Sequence, residues 1–421
     1  VPEFRAPVGT RDVVPPESAR WVKLVAMCAD LVGRAGYGLV VSPMFEDVGV
    51  FERLGASTEV VRKEMYDFRD KSDRHLALRP EGTASVVRAY LEQRPPTPWK
   101  CWYVAPSFRY ERPQAGRYRQ HHQLGVEVLG TDDADVDVEV IALLDALYRA
   151  VGLQQRTLHL NSLGDAASRP AYHAALRGHL EAHASTLSEQ SRATMDVNPL
   201  RVLDSKRPED AEVIATAPVM IDHLSEESAA HFARVQRGLK ALDVDFVIDP
   251  RLVRGLDYYT RTTFEFASDA LDSAQNAIGG GGRYDGLAEQ LGGPATPGIG
   301  FGAGIERILL ACDAEGVFGA PESTVDVWII DTTGGEAALA ITHELRAAGI
   351  RADRSFDSRS MKSQMKSADR SGARFAVIIG SEEAASDTVA VRDLRHAGPE
   401  SEPGQQSIPR RELVDFMRKH Q

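Results

Sequence analysis

Two strand-like runs, CWYVAPSFRYE (101–111) and HHQLGVEVLG (121–130), lie on either side of a short basic loop, RPQAGRYRQ. Runs of this length joined so closely read as one long hairpin, and a hairpin is antiparallel of necessity. The chain is thereby committed to an antiparallel pair in which side chains two apart share a face. Arg109 and Glu111 then point the same way, and Gln123, Gly125 and Glu127 share one face of the opposite strand. Gly125 removes a side chain between two polar groups and leaves room for a ligand. The ordinary reading of one Arg–Glu pair is a solvated contact of small energetic value.

Other segments fall around this hairpin. Ser18 to Ala35 reads as an amphipathic helix, capped by Ser18 and ended by Gly36, and YGLVVSPMF (37–45) as a strand closed by Pro43. HLALRPEGTASVVRAY (75–90) reads as a strand, a turn and a helix, with Thr83 as a cap and Glu81 near the dipole. Residues 134–151 read as a helix. From 161 to 242 the sequence is alanine-rich, polar and helical, as expected of an insertion. Strand signals return at FVIDPRLVRGLDYYTRTTFEF (246–266). GGGGRYDGL (279–287) reads as a glycine loop leading into a helix, and GIGFGAGIERILLA (298–311) as a strand packed closely into a helix. From Val325 strands and helices alternate afresh, which indicates a separate α/β domain. The expected divisions are 1–160, 161–242, 243–320 and 325–421.

Composition narrows the function classes. The 421 residues are 43% hydrophobic and 26% charged, with a net charge of −12, and no apolar run is long enough to cross a membrane. VPEFRAPVGTRDVVPPE has no apolar core of the signal-peptide kind. The three cysteines, Cys28, Cys101 and Cys312, form no CxxC pair, so a reducing cytoplasm is expected and a cysteine zinc site is not. His179 and His183 share a helical face in HLEAH, but the order is not HExxH, and solvated helix histidines are the expectation. An acidic chain is a poor non-specific nucleic-acid binder, yet two stretches are basic: 109–119 carries a net of +3, and 351–374 a net of +4. The four glycines at 279–282 fit neither a Walker A loop nor GxGxxG. GFGAGIER is open to two readings: tight strand–helix packing, or a flat floor for a purine with Arg307 on its phosphates.

Taken together, these segments resemble the class II aminoacyl-tRNA synthetases and, within them, the histidyl-tRNA synthetase family. GYGLVVSPMF resembles class motif 1, whose proline lies at the dimer interface; FRYE…HHQLGVEVLG resembles motif 2, and GFGAGIERILL motif 3. RGLDYYTRTTFEF and GGGRYDGL resemble the two histidine-specific motifs, and RPEGT and NPLRVLDSK also fit. The resemblance covers nearly the whole chain. It implies an α+β catalytic domain built on an antiparallel sheet, a helical insertion, and a C-terminal α/β anticodon-binding domain in a cytoplasmic homodimer. The implied partners are L-histidine, ATP as its Mg2+ complex, and tRNA(His), with no tightly bound protein metal and no membrane.

The resemblance also implies roles. Arg254 and Arg109 would act on the charge developing at the α-phosphate and carboxylate. Glu81, Thr83, Gln123, Glu127, Arg254, Tyr258, Tyr259 and Tyr284 would hold histidine. Arg109, Glu111 and Arg307 would hold ATP, and Arg112, Gln114 and Arg117 would meet the acceptor end of tRNA. Two alternatives remain at this stage. One is a non-catalytic paralogue that senses histidine; such paralogues generally lack the anticodon domain. The other is an unrelated ATP-dependent ligase of small acids.

Overall fold

The hairpin forms as its alternation demands. Trp99–Phe108 pairs antiparallel with Gln120–Leu129, setting Cys101 opposite Glu127, Tyr103 opposite Gly125 and Ala105 opposite Gln123. It sits inside an eight-stranded sheet of a computed structural model that describes residues 4–53, 60–272, 275–321, 323, 325–356, 359–395 and 404–420. Across the sheet the strands run Gly38–Leu39, Trp99–Phe108, Gln120–Leu129, Gly298–Gly304, Ala277–Arg283, Thr260–Ser268, Arg156–Ser162 and Val247–Ile248. The six inner strands are antiparallel throughout. Only the two short edge strands pair in parallel.

One sheet face is covered by the helices Glu17–Arg34, Ala134–Ala150 and Glu226–Ala241, whose buried Leu24, Ile141, Leu144, Val235 and Leu239 meet Val126, Phe264, Phe266 and Phe301. The other face carries the helix Thr83–Gln93 and a core in which three tyrosines, Tyr103, Tyr258 and Tyr284, replace aliphatic side chains. The helices Arg169–Ala182, Glu189–Val197 and Ala211–Thr216 close a smaller core around Tyr172, Leu176, Leu203 and Met220.

Chain contacts divide the molecule into two units, Val1–Gly319 and Ala320–Gln421. In the second, Ala352–Arg354, Val327–Asp331 and Phe375–Ile379 are parallel, and Thr388–Asp393 and Gln405–Pro409 extend the sheet antiparallel. The helices Glu336–Ala347, Met361–Ser371 and Leu413–Lys419 accompany it. The fold is thus an α+β unit on an antiparallel sheet, with a helical region inside it, followed by an α/β unit. No helix of the described residues is long and apolar enough to cross a membrane.

Several local expectations are corrected. The four glycines are not a loop; they lie in the strand Ala277–Arg283, bonded on both sides. A Cβ at Gly281 would stand 1.9 Å from the Gly300 carbonyl oxygen. Only glycine lets these strands come so close. Residues 251–259 are not a strand either, since the ladder begins at Thr260. YGLVVSPMF divides: Gly38–Leu39 edges the large sheet, while Phe45–Asp47 joins His75–Leu78 and Tyr66–Arg69 in a small one. Ser18 already lies inside the first helix, with Pro16 at the cap position. Thr83 likewise opens its helix rather than capping it. The carboxylate of Glu81 accepts the N–H groups of Thr83 and Ala84 at 2.7 and 2.8 Å, the role a cap would play. The strand Gln405–Pro409 and the helix Ser381–Ser386 had no signal in the reading of the sequence.

Candidate active site

On the tyrosine-bearing face, the sheet centre is a floor with few side chains. Gly125, Gly300 and Gly302 lie on adjacent strands, and the ring of Tyr103 fills the space above Gly125. Glu127 stands in this floor with no solvent exposure. Its carboxyl group accepts from Thr83 Oγ1 at 2.7 Å, Tyr284 Oη at 2.6 Å and Tyr103 Oη at 3.2 Å. Burial pushes its pKa up to about 8, against the three hydroxyl bonds and with help from the nearby charge of Glu81. Glu81 is itself raised by burial, with Tyr258 Oη 3.5 Å from it. A buried acceptor ringed by hydroxyls suits a polar, flat group bearing an N–H.

Tyr258 and Tyr259 stand with ring centroids 4.6 Å apart, and Tyr258 meets Tyr284 edge-on at 6.0 Å. The Arg254 guanidinium lies 5.9 Å from the Tyr259 ring centroid and donates to Glu265 at 2.5 Å, across the strand from Gly280. Its Nη1 would be 2.9 Å from a Cβ at Gly280, so the glycine run makes room for the cation as well as for the neighbouring strand. Gln123 accepts from Ser107 at 3.3 Å.

Arg109 and Glu111 lie just past the strand end at Phe108, with 3.9 Å between guanidinium and carboxylate. Arg109 Nε donates to the Pro80 carbonyl at 2.9 Å, which ties the hairpin end to the turn carrying Glu81. Glu111 is paired more closely with Arg117, at 3.2 Å. Arg307 donates to the Ala277 and Gln275 carbonyls, which leaves three of its five donors. Burial and the charge of Arg117 hold its pKa below the usual value, and Glu265 and Glu111 oppose this. In the hairpin loop Gln114 and Arg117 exchange backbone hydrogen bonds, and Arg112 and Gln114 are exposed.

The structure therefore brings Glu81, Thr83, Glu127, Tyr258, Tyr259 and Tyr284 into one pocket, with Arg254 beside it. The Arg307 side chain runs beside Gly304, at the end of the strand Gly298–Gly304, with Glu265 and Glu111 near enough to act on its charge. Two residues that the sequence reading passed over belong with them. Tyr103 bonds to Glu127 and had a signal, since the hairpin register sets it opposite Gly125. Glu265 holds Arg254 from the strand Thr260–Ser268, and no spacing announced it. His179 and His183 instead bond to the backbone carbonyls of Val213 and His179. Among the described residues no group of three or more His, Cys, Asp or Glu side chains is arranged to hold a metal.

The model of the family described as histidyl-tRNA synthetase matches residues 9–308. A protein of Rhodococcus erythropolis named histidine–tRNA ligase is 50% identical over 412 residues, 96% of each chain. The chain belongs to the histidyl-tRNA synthetase family. A relative of that name from Nocardia farcinica is 49% identical over 99% of this chain and 98% of its own. The crystal structure of apo S. aureus histidyl-tRNA synthetase superposes with a TM-score of 0.82 at 36% identity, covering 98% of this chain and 99% of that one. A second model, described as an anticodon binding domain, matches residues 325–420, essentially the second compact unit. The histidyl-tRNA synthetase model thus covers the tyrosine-lined pocket and reaches Arg307 in the first turn of the helix Ile305–Glu315.

Proposed function

We propose that the Glu127 pocket holds the imidazole of L-histidine while this chain acts as an ATP-dependent histidine–tRNA ligase. Histidine's carboxylate attacks the α-phosphate of ATP, giving histidyl-adenylate and pyrophosphate. A hydroxyl of the terminal ribose of tRNA(His) then takes the histidyl group and AMP leaves. The observation that carries this reading is the buried Glu127 carboxyl ringed by Thr83, Tyr103 and Tyr284. Such a site rejects analogues that leave its polar groups unpaired. Tyr259 supplies an aromatic wall, while Glu81, Thr83 and Gln123 take the ammonium group.

No protein nucleophile is needed, so positioning and charge stabilisation do the catalytic work. Arg254 and Arg109 neutralise the charge that develops at the α-phosphate and carboxylate. Glu111 and Arg307 hold ATP, which enters as its Mg2+ complex, and no tightly bound protein metal is invoked. Arg112, Gln114 and Arg117 meet the acceptor end, and the basic 351–374 stretch of the second unit serves the anticodon end. A cytoplasmic homodimer is the proposed working form. In its support, Leu39, Val41, Met44 and Phe45 are large, exposed hydrophobics gathered in seven residues, a patch that association would cover.

The test is amino-acid-dependent pyrophosphate exchange with all twenty amino acids, run beside Arg254→Ala. Histidine alone supports exchange. Arg254→Ala slows single-turnover adenylate formation by about 100-fold or more while ATP binding changes far less, the pattern of a group that acts on the transition state. Exchange with another amino acid, or a barely slowed variant, would refute the assignment.

A further inference from the structure

The loop carrying Arg254, Tyr258 and Tyr259 is held from the sheet at Leu252 and Arg254, and from outside the sheet elsewhere. It runs from the edge strand Val247–Ile248 to the start of Thr260–Ser268. Arg251 donates to the Pro218 carbonyl at 3.0 Å, and Arg169 donates to the carbonyl of Tyr259 itself. Between these ties Arg201 donates to Asp257 Oδ1 at 2.8 Å, with Asn198 Nδ2 at 3.5 Å from the same oxygen. Arg201 sits on the short 3-10 helix Pro199–Asp204, whose first turn Asn198 fixes by accepting the Leu200 N–H at 3.2 Å. Every one of these partners belongs to the helical region. A cavity of about 440 Å³ opens between that region and the loop, lined by Arg169, Asn198, Arg201, Arg254, Asp257 and Tyr259. Leu256, Tyr258 and Tyr259 pack against the Tyr103–Tyr284 core on the loop's sheet side, but across the gap on its other side apolar packing gives no such hold. Charge-assisted bonds of defined geometry do. Asp257 is adjacent to Tyr258 and three residues from Arg254, so its tie to Arg201 acts on the backbone segment that carries both.

We propose that Arg201 and Asp257 are positioning residues for adenylate formation, a tie through which the helical region sets the Arg254–Tyr259 loop. The proposal rests on the role given above to Arg254. Neither residue touches the reacting atoms. Arg201 governs the rate through the placement of the guanidinium, and whatever moves the helical region moves the charge that stabilises the transition state.

Single-turnover adenylate formation and thermal unfolding are measured for Arg201→Ala, Asp257→Asn, the double variant, Arg201→Lys and Arg254→Ala. Each single change is expected to slow the chemical step by about tenfold to 100-fold, the scale of an ångström-sized misplacement. The double variant is no slower than the worse single one, because both remove one interaction. Lysine recovers part of the rate, and unfolding midpoints stay close to that of the parent. Parent-like rates in the single variants, losses that multiply in the double, or rate losses that follow lost stability would each overturn the tie. Should Arg201→Ala fail to fold, the near-isosteric Asp257→Asn and the charge-keeping Arg201→Lys decide the matter. A fully active Arg254→Ala would instead remove the reading on which the tie depends. A slow Arg254→Ala beside normal Arg201 and Asp257 variants sinks the tie alone.

Discussion

Glu127 shows how far one residue's chemistry follows from its surroundings. Ionising it is opposed by desolvation, which pushes its carboxyl pKa up to about 8. A carboxyl raised above its unfolded value binds more protons in the fold than in the open chain. Its contribution to stability is therefore full below the unfolded pKa and is lost as pH rises toward 8. In the proposed role of Glu127 function runs the other way, because the anion is the better acceptor for a ring N–H. For histidine, kcat/KM in pyrophosphate exchange should rise with pH toward 8, beyond the limb due to the substrate's own ring. In Glu127→Gln only the substrate's limb should remain. An unchanged profile in that variant would show that some other group titrates.

At the scale of elements, the hairpin was legible because both strands carry side chains that alternate. Once it was drawn, Gln123, Gly125 and Glu127 had to share a face. The strand Ala277–Arg283 was not legible: four glycines offer no alternation, and their need to be glycine comes from Gly300 and Arg254, which are distant in sequence. The 251–259 loop was misread for the opposite reason. The aromatic and β-branched residues of YYTRTT look strand-like, while the bonds that fix the loop arrive from Arg169 and Arg201. The floor supplies its own test. A Cβ at Gly300 would fall 1.8 Å from Glu127 Oε2 and 2.4 Å from the Val126 carbonyl, whereas at Gly302 the nearest atom, of Gln123, is 3.4 Å away. Gly300→Ala should cost about 1–3 kcal/mol in urea unfolding, as overpacking does, and should raise the KM for histidine. Gly302→Ala should unfold close to the parent midpoint. Equal midpoints for the two variants would mean that the strands relax more easily than their close contact implies.

For the whole molecule, the proposed division of labour falls at the boundary after Gly319. Every proposed contact to histidine or ATP lies at or before Arg307, and the second unit has its own core around Val327, Ile329, Leu345, Val377 and Leu413. A chain ending at Gly319 should keep histidine-dependent pyrophosphate exchange provided sedimentation shows a dimer, and it should lose most charging of tRNA. A dimeric truncation that charges like the full chain would refute that division. A folded dimer without exchange would bring the second unit into the active site.

The sheet order has a further consequence in time. Gln120–Leu129 takes its second neighbour from Gly298–Gly304, and that strand leaves the ribosome only after the whole helical region and two more central strands have been made. At ~5–20 residues per second the wait is on the order of ten seconds or more. Throughout it the nascent hairpin carries an open edge, the kind of surface that recruits other strands. An enzyme that supplies translation is thus itself exposed during translation, until the ribosome delivers the strand that closes the sheet.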